Sequence, residues 1–120
     1  MLDIEDTALS VADPEASARF YAGLLRRRPL EANADHAVFV LAPGRTLSLW
    51  RRVDAGRTAP VETQEVDFRM PGPAAVDEAH IDWWDRGARI VLPPMDMGCE
   101  RSFVARDPDG NRLRVYAHAA

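Results

Sequence analysis

Guanidinium and phenol groups alternate with apolar side chains near the end of the chain. Arg112, Arg114 and Tyr116 are separated by Leu113 and Val115. In a β-strand this alternation places the polar and aromatic groups on one face and the aliphatic groups on the other. Guanidinium groups bind carboxylates and other acceptors, and aromatic rings bind flat ligands. The segment therefore predicts a strand with one face in the core and one face available to a ligand.

An earlier segment has the same pattern. Residues 47–50, Leu-Ser-Leu-Trp, align with residues 113–116, so that Ser48 matches Arg114 and Trp50 matches Tyr116. The large flat ring of Trp50 could stack on a planar ligand. Alternatively, Trp50 packs against a partner subunit. The repeat indicates that the chain contains two copies of one structural module.

Nucleophilic catalysis is the other chemistry to consider. Cys99 is the single cysteine, and none of His36, His80 or His118 lies in a motif that would place it near Cys99. The two serines of the predicted ligand face, Ser10 and Ser48, lack an assignable general base. We therefore predict no catalytic residue, and one cysteine excludes a disulfide within the chain.

The composition is that of one globular domain. The chain has 120 residues, of which 47% are hydrophobic and 28% charged. The net charge of −4 with dispersed basic residues predicts no binding of nucleic acid. The longest apolar run, residues 37–42, is too short to span a bilayer, and the acidic residues 3–6 do not fit a signal peptide. We expect a cytoplasmic protein that does not bind membranes.

Turn and cap signals divide the first half into elements. Asp13 and Pro14 are suited to the N-cap and first position of a helix that must end before Pro29. Ala16, Phe20 and Leu24 form its predicted buried stripe. The expected strands are 7–12, 36–41 and 46–51, and residues 30–34 are a further candidate strand.

The second half repeats this order. We predict strands at 65–70 and 89–92, a loop at 93–100, and a helix over 74–86 that ends at Gly87. Val76, His80 and one of Trp83 and Trp84 should face inward. The final hairpin turns at residues 107–110, Asp-Pro-Asp-Gly, which suit a type I turn.

The predicted fold class is therefore α+β, with two βαβββ modules in one domain over residues 1–120. Module one covers about residues 1–53, residues 54–61 form a linker rich in small residues, and module two covers about residues 62–118. Neither module could bury both faces of its sheet alone, so the modules should pair.

The motifs that mark both modules resemble those of the vicinal oxygen chelate superfamily. They are residues 9–13 leading into Phe20 and Tyr21, and residues 107–111 followed by 113–115. That superfamily includes glyoxalase I, extradiol dioxygenases and bleomycin-resistance proteins. The resemblance implies a glyoxalase-like fold with a concave mixed-sheet cavity. Residues 96–98, 102–104 and the final hairpin are similar to small phenazine-antibiotic-resistance proteins.

The resemblance also implies positions for metal ligands. In metal-dependent members four inward-facing ligands come from the first and last strand of each module, and these positions here are Asp6, Ser48, Glu65 and Arg114. Arg114 has no lone pair to donate and would oppose a divalent metal. We therefore expect no metal and no cofactor, with Arg114 paired to Glu65 or Asp6. The two carboxylates could still hold a weakly bound ion.

The cavity lining completes the prediction. Strand alternation predicts that Ser10, Phe39, Ser48, Trp50, Asp67, Phe103, Arg114 and Tyr116 point to the concave side. Met95 and Met97 could form an adaptable lid. The candidate ligand-binding residues are Trp50, Phe39, Ser48, Arg52, Met97, Phe103, Arg114 and Tyr116.

These residues favour binding over catalysis. The sequence predicts a metal-independent binding protein that sequesters a planar aromatic compound such as a phenazine-type antibiotic. The alternative is a metal-dependent lyase, isomerase or dioxygenase of the same superfamily with an altered ligand set. A homodimer is expected, because exposed sheet edges and apolar surface are commonly covered by a symmetric copy.

Overall fold

A computed structural model describes residues 3–52 and 64–119. The elements of the first half are β1 (Thr7–Val11), α1 (Pro14–Leu25), β2 (Glu31–Ala32), β3 (His36–Ala42) and β4 (Arg45–Arg51). Those of the second half are β5 (Glu65–Arg69), α2 (Pro73–Asp85), β6 (Arg89–Met97), β7 (Glu100–Arg106) and β8 (Arg112–His118). The predicted α+β class with two βαβββ modules is confirmed. The predicted linker at 54–61 lies outside the described residues.

Each module forms its own four-stranded sheet. The strand orders are β1-β4-β3-β2 and β5-β8-β7-β6, with the first and last strand of each module parallel and the other pairs antiparallel. The two sheets meet at β1 and β5, where Asp3 forms an antiparallel bridge with Arg69. At the other end of this joint Ser10 N donates to Gln64 Oε1 at 2.8 Å. The edges of the two modules therefore run antiparallel to one another.

Helix α1 starts as the sequence predicts. Asp13 Oδ1 accepts hydrogen bonds from the backbone N–H groups of Glu15 and Ala16 at 3.1 and 3.2 Å, and Pro14 occupies the first turn. The predicted stripe is wrong for Ala16 and Phe20, which are only partly buried. The buried residues of α1 are Pro14, Ser17, Ala18, Tyr21 and Leu24.

The buried stripe is rotated because of Tyr21. Its ring is fully buried, and its hydroxyl reaches an acceptor on module two, Asp107 Oδ2, at 2.7 Å. Phe20 instead lies edge-on against Tyr21, with the ring centroids 5.1 Å apart. Hydrophobic periodicity favours burial of the purely apolar Phe20. It contains no information about a hydrogen-bond partner of Tyr21 that lies 86 residues away.

Helix α2 confirms the prediction about its tryptophans. Trp83 is 1% exposed and packs edge-on against Phe68 and Phe103, whereas Trp84 is 65% exposed. Val76 is buried, and His80 is partly buried beside Phe103. Gly87 follows the helix with a φ of +81°, a left-handed conformation that glycine adopts at little cost.

The loop predicted at residues 93–100 is wrong over most of its length. Strand β6 continues through Pro93 and Pro94 to Met97. It is the edge strand of its sheet, where a residue without a backbone N–H loses no ladder hydrogen bond on the outer side. Register shifts between Ile90 and Leu92, and again between Leu92 and Met95, accommodate the two prolines.

The turn of the last hairpin fastens the two modules together. The carboxylate of Asp107 is 2% exposed and accepts hydrogen bonds from Tyr21 of α1 and from the backbone N–H groups of Asp109 and Asn111. Asp109 Oδ1 accepts from Ala12 N at 2.8 Å, beyond the end of β1. Module two is thus bonded to the helix and to the first strand of module one.

One face of each sheet carries a helix and the other does not. The core lies on the helix-bearing faces and contains, among its fully buried side chains, Trp83, Tyr21, Phe39, Phe68 and Phe103. We call the opposite surface of both sheets the open face. Within the described ranges no helix is both long and apolar enough to cross a membrane.

Candidate functional site on the open face

The predicted alternation of β4 and β8 is confirmed. Leu47 and Leu49 in β4 are fully buried, and so are Leu113 and Val115 in β8. The residues between and after them, Ser48, Trp50, Arg114 and Tyr116, therefore lie on the open face. The two modules align residue for residue at these positions, because Leu9 pairs with Leu49 and Phe68 pairs with Val115.

Two of the predicted site residues belong to the core. Phe39 lies opposite Leu47, and Phe103 lies opposite Val115. Residues directly opposite on antiparallel strands share a face, so both rings point toward the helices, and both are fully buried. The prediction that Phe39 and Phe103 line the ligand cavity is wrong.

Trp50 is the most exposed aromatic ring of the open face. Trp50 is 51% exposed, and one face of its ring stacks on His36 with the ring centroids 4.6 Å apart and an interplanar angle of 25°. His36 pairs with Trp50 across the β3–β4 hairpin. The stack leaves a ring surface accessible to a flat ligand, with the imidazole fixing the orientation of the indole.

Sequence reasoning missed His36 as a neighbour of Trp50. The pairing that sets Phe39 opposite Leu47 also sets His36 opposite Trp50. The turn alone would not give this pairing, because the pair Ala42 and Arg45 continued without a break would place Phe39 opposite Ser48. A one-residue register shift between Val40 and Ala42 places His36 opposite Trp50 instead.

Arg114 is held by two carboxylates. Its Nε donates to Asp67 Oδ1 at 3.1 Å, its Nη1 donates to Glu100 Oε1 at 2.9 Å, and its guanidinium carbon lies 4.2 Å from the centroid of the Tyr116 ring. Burial alone would lower the pKa of Arg114, but the hydrogen bonds that it donates to Glu100 and Asp67 outweigh burial and raise this pKa. The group is a permanent cation.

The predicted partners of Arg114 were wrong. The parallel β5–β8 register places Asp67 directly beside Arg114 and puts Glu65 beside Arg112 instead. The Glu65 carboxylate lies 3.8 Å from Arg112 Nε. Asp6 is bonded within module one, where its Oδ1 accepts from the backbone N–H of Thr46 at 2.8 Å.

Trp50 and Tyr116 occupy equivalent places in their modules but opposite ends of the open face. Trp50 pairs with Ser10, which is bonded to Gln64, whereas Tyr116 pairs with Arg69. Gln64 and Arg69 are five residue steps apart, about 16 Å at about 3.3 Å per residue. The prediction that both rings enclose one thin ligand is therefore wrong.

Tyr116 borders a small cavity of its own. This polar cavity of about 180 Å³ lies at the joint of the modules and is lined by Asp3, Ile4, Glu5, Arg45, Asp67, Arg69 and Tyr116. Trp50 and Tyr116 thus belong to separate ends of the open face.

The other predicted site residues lie around these two ends. Ser48 is partly buried between Ala8 and Val38 in the middle of module one. Arg52 lies beyond the end of β4, with its Nη2 3.7 Å from Asp109. Met97, at the end of β6, is 65% exposed. Ser48 and Trp50 lie on the open face of module one, and Arg114 and Tyr116 lie on the open face of module two.

The positions that correspond to metal ligands do not form a metal site. Arg114 occupies one of them with a cation that has no donor lone pair, and Ser48 supplies only a neutral hydroxyl. Across residues 3–52 and 64–119, no three His, Cys, Asp or Glu side chains are grouped closely enough to hold a metal ion. The donor set present here does not fit a divalent metal.

Comparison with known proteins agrees with this architecture. The family model described as Glyoxalase/Bleomycin resistance protein/Dioxygenase superfamily matches residues 3–115. The chain therefore belongs to this superfamily. A search of curated proteins gave no match.

The chain is also similar to several solved structures. An Agrobacterium tumefaciens protein studied by solution NMR is 37% identical over 100% of both chains, with a TM-score of 0.82. A glyoxalase/bleomycin resistance protein/dioxygenase from Nocardioides is 26% identical, covers 96% of this chain and 82% of its own, and has a TM-score of 0.78. A lactoylglutathione lyase from Agrobacterium tumefaciens, 23% identical over 95% of this chain and 92% of its own, has a TM-score of 0.78 and supports the fold alone.

Proposed function

We propose that this superfamily member is a metal-independent binding protein that sequesters a planar aromatic compound, such as a phenazine-type antibiotic, in the cytoplasm. The observation that carries the proposal is the half-exposed indole of Trp50, oriented by stacking on His36. Stacking on such a ring stabilises a flat ligand by about 0.5–1.5 kcal/mol beyond the area it buries.

The state of Arg114 favours binding over metal catalysis. The guanidinium is fixed by Asp67 and Glu100 at a position where metal-dependent relatives need a ligand. Releasing it would leave two carboxylates of the open face without their cation. A metal-dependent reaction therefore has no support in this donor set.

The test is a titration with aromatic heterocycles, phenazines first, followed by calorimetry or tryptophan fluorescence. Trp50→Ala should weaken binding about tenfold or more, since truncating a central anchor commonly costs about 2 kcal/mol. Folding should survive, because the ring is half exposed. Trp84→Phe is the matched control, as Trp84 is 65% exposed on the helix side. Equal affinity of the folded Trp50→Ala variant and the parent would remove Trp50 from the site.

We also propose that the protein forms a homodimer. Strand β6 is an edge strand that exposes the apolar side chains Val91, Leu92, Met95 and Met97, and such surface is commonly covered by a second copy. Light scattering should give twice the chain mass. A monomer at micromolar concentrations would contradict this part of the proposal.

A further inference from the structure

Three arginines stand side by side across the second sheet. Arg89 of β6 lies opposite Arg106 of β7, and Arg106 lies opposite Arg112 of β8. Directly opposite residues share a face, and Arg112 is two residues from Arg114, so all three are on the open face. We call Arg89, Arg106 and Arg112 the arginine row.

The arginine row has little compensating charge. Its one acidic neighbour in register is Glu65, whose carboxylate is 3.8 Å from Arg112 Nε. Arg106 Nη1 donates to the carbonyl oxygen of Gly110, and the guanidinium of Arg89 makes no hydrogen bond or ion pair with residues 3–52 or 64–119. Like charges directly opposite one another in a sheet are destabilising. Stability of the fold therefore does not explain this arrangement.

The row lies at the same end of the open face as Trp50. Gln64 connects them, because its carbonyl oxygen accepts from Arg112 N and its Oε1 accepts from Ser10 N, each at 2.8 Å. Ser10 is the strand partner of Trp50. The sequence of neighbours across the joint is therefore His36, Trp50, Ser10, Gln64, Arg112, Arg106 and Arg89.

We infer that the arginine row binds an oxyanion, and that the aromatic ligand stacked on Trp50 presents such a group, as a phosphate or carboxylate, to Arg112, the member of the row nearest to Trp50. Guanidinium groups present planar pairs of N–H donors that match the oxygens of both groups. The inference about the ring rests on the proposed function, whereas the inference about the oxyanion rests on the arginine row alone. A bound oxyanion would neutralise the repulsion that the unliganded row carries.

The first experiment measures the affinity of the arginine row for an oxyanion that carries no aromatic group. Inorganic pyrophosphate is titrated into the full chain by calorimetry at low ionic strength. The parent should bind it, and Arg89→Gln or Arg112→Gln should each weaken binding about tenfold, equivalent to about 1.4 kcal/mol. Arg28→Gln, which removes the same charge from an exposed site after α1, should bind like the parent.

The second experiment joins the two parts of the site. The parent is titrated with 1-naphthol, 1-naphthoate and 1-naphthyl phosphate, which share one ring system and differ in the oxyanion. Both anions should bind at least about tenfold more tightly than 1-naphthol. This preference should disappear in Arg112→Gln. The ratio of the affinities for 1-naphthoate and 1-naphthyl phosphate shows whether the row selects carboxylate or phosphate.

The outcomes separate the two proposals. If pyrophosphate does not bind at millimolar concentration, or binds equally to Arg28→Gln and Arg89→Gln, the oxyanion site is wrong. Binding of neutral aromatic compounds that depends on Trp50 would still support the proposed function. If pyrophosphate binds through the row but no naphthyl compound responds to Trp50→Ala, the oxyanion site stands and the aromatic site fails.

Discussion

The two modules share a backbone and a core but differ on the open face. At equivalent positions Leu47 and Leu113 are both fully buried, whereas Ser48 in module one corresponds to Arg114 in module two. Both modules end this strand pattern with an aromatic ring. The difference shows that the core positions specify the module and leave the open-face positions available for function.

The contrast is largest at the arginine row. The pair Arg106 and Arg112 of module two corresponds to Val40 and Thr46 of module one, which are also opposite each other but carry no charge. Because β1 and β5 run antiparallel at the joint, the charged row of module two faces the end where module one presents Trp50. The two modules thus contribute different halves of one proposed site.

The turns of the two hairpins also differ. The turn before β4 in module one, at Pro43 and Gly44, is exposed. In module two Asp107 and Asn111 are 2% and 1% exposed, because this turn contacts α1 and the end of β1. The hairpin connection is therefore a two-residue, solvent-exposed turn in module one and a five-residue connection to the other module in module two.

The largest expected effect comes from breaking that connection. Asp107→Ala leaves the Tyr21 hydroxyl and the N–H groups of Asp109 and Asn111 without their acceptor in a buried place. Since an unsatisfied buried polar group costs about 1–3 kcal/mol, we expect a loss of about 3 kcal/mol or more.

Urea denaturation measures the free energy of unfolding of Asp107→Ala and of a control variant in the other turn. Pro43→Ala, in the exposed turn of module one, should change the free energy of unfolding by no more than about 0.5 kcal/mol. Similar losses for Asp107→Ala and Pro43→Ala would show that the two turns do not differ in the way described.

A smaller effect is expected from the other side of the connection. Tyr21→Phe removes one hydrogen bond but keeps the buried ring, and should cost about 1 kcal/mol at neutral pH. Burial, and then the charge and hydrogen bond of Asp107, raise the pKa of Tyr21 well above its ordinary value of 10.0. As pH rises above that value, the unfolded chain loses this proton first, so the stability of the parent falls through the alkaline range.

The difference between parent and Tyr21→Phe should therefore shrink above pH 10.0. Tyr116→Phe, on the open face, is the matched control for removing a tyrosine hydroxyl. Urea midpoints at a series of pH values measure both. A Tyr21→Phe variant with the same alkaline loss as the parent would show that another group is responsible.

Local patterns predicted the elements well. Asp13 and Pro14 marked the start of α1, and alternation in residues 113–116 predicted which side chains of β8 are buried. These features depend on neighbours along the chain, and local backbone preferences determine them.

Features that depend on pairing between distant segments were not predicted. Phe39 was assigned to the wrong face because the sequence does not reveal the one-residue register shift between Val40 and Ala42, and the partner of Arg114 depends on the parallel β5–β8 register. Similarly, the arginine row comes from three strands and is not adjacent anywhere in the sequence. A ligand site formed across strands becomes visible only when the register is known.

The smallest expected effect tests whether the arginine row is under electrostatic strain in the free protein. Arg89→Gln removes one of the like charges that lie opposite each other, and should raise the free energy of unfolding by about 0.5 kcal/mol at low ionic strength. The gain should vanish as added salt screens the repulsion. Arg28→Gln, away from the sheet, should show no such dependence on salt. If Arg89→Gln instead lowers stability, the guanidinium of Arg89 stabilises the fold. The arginine row would then carry no net repulsion for an anionic ligand to relieve.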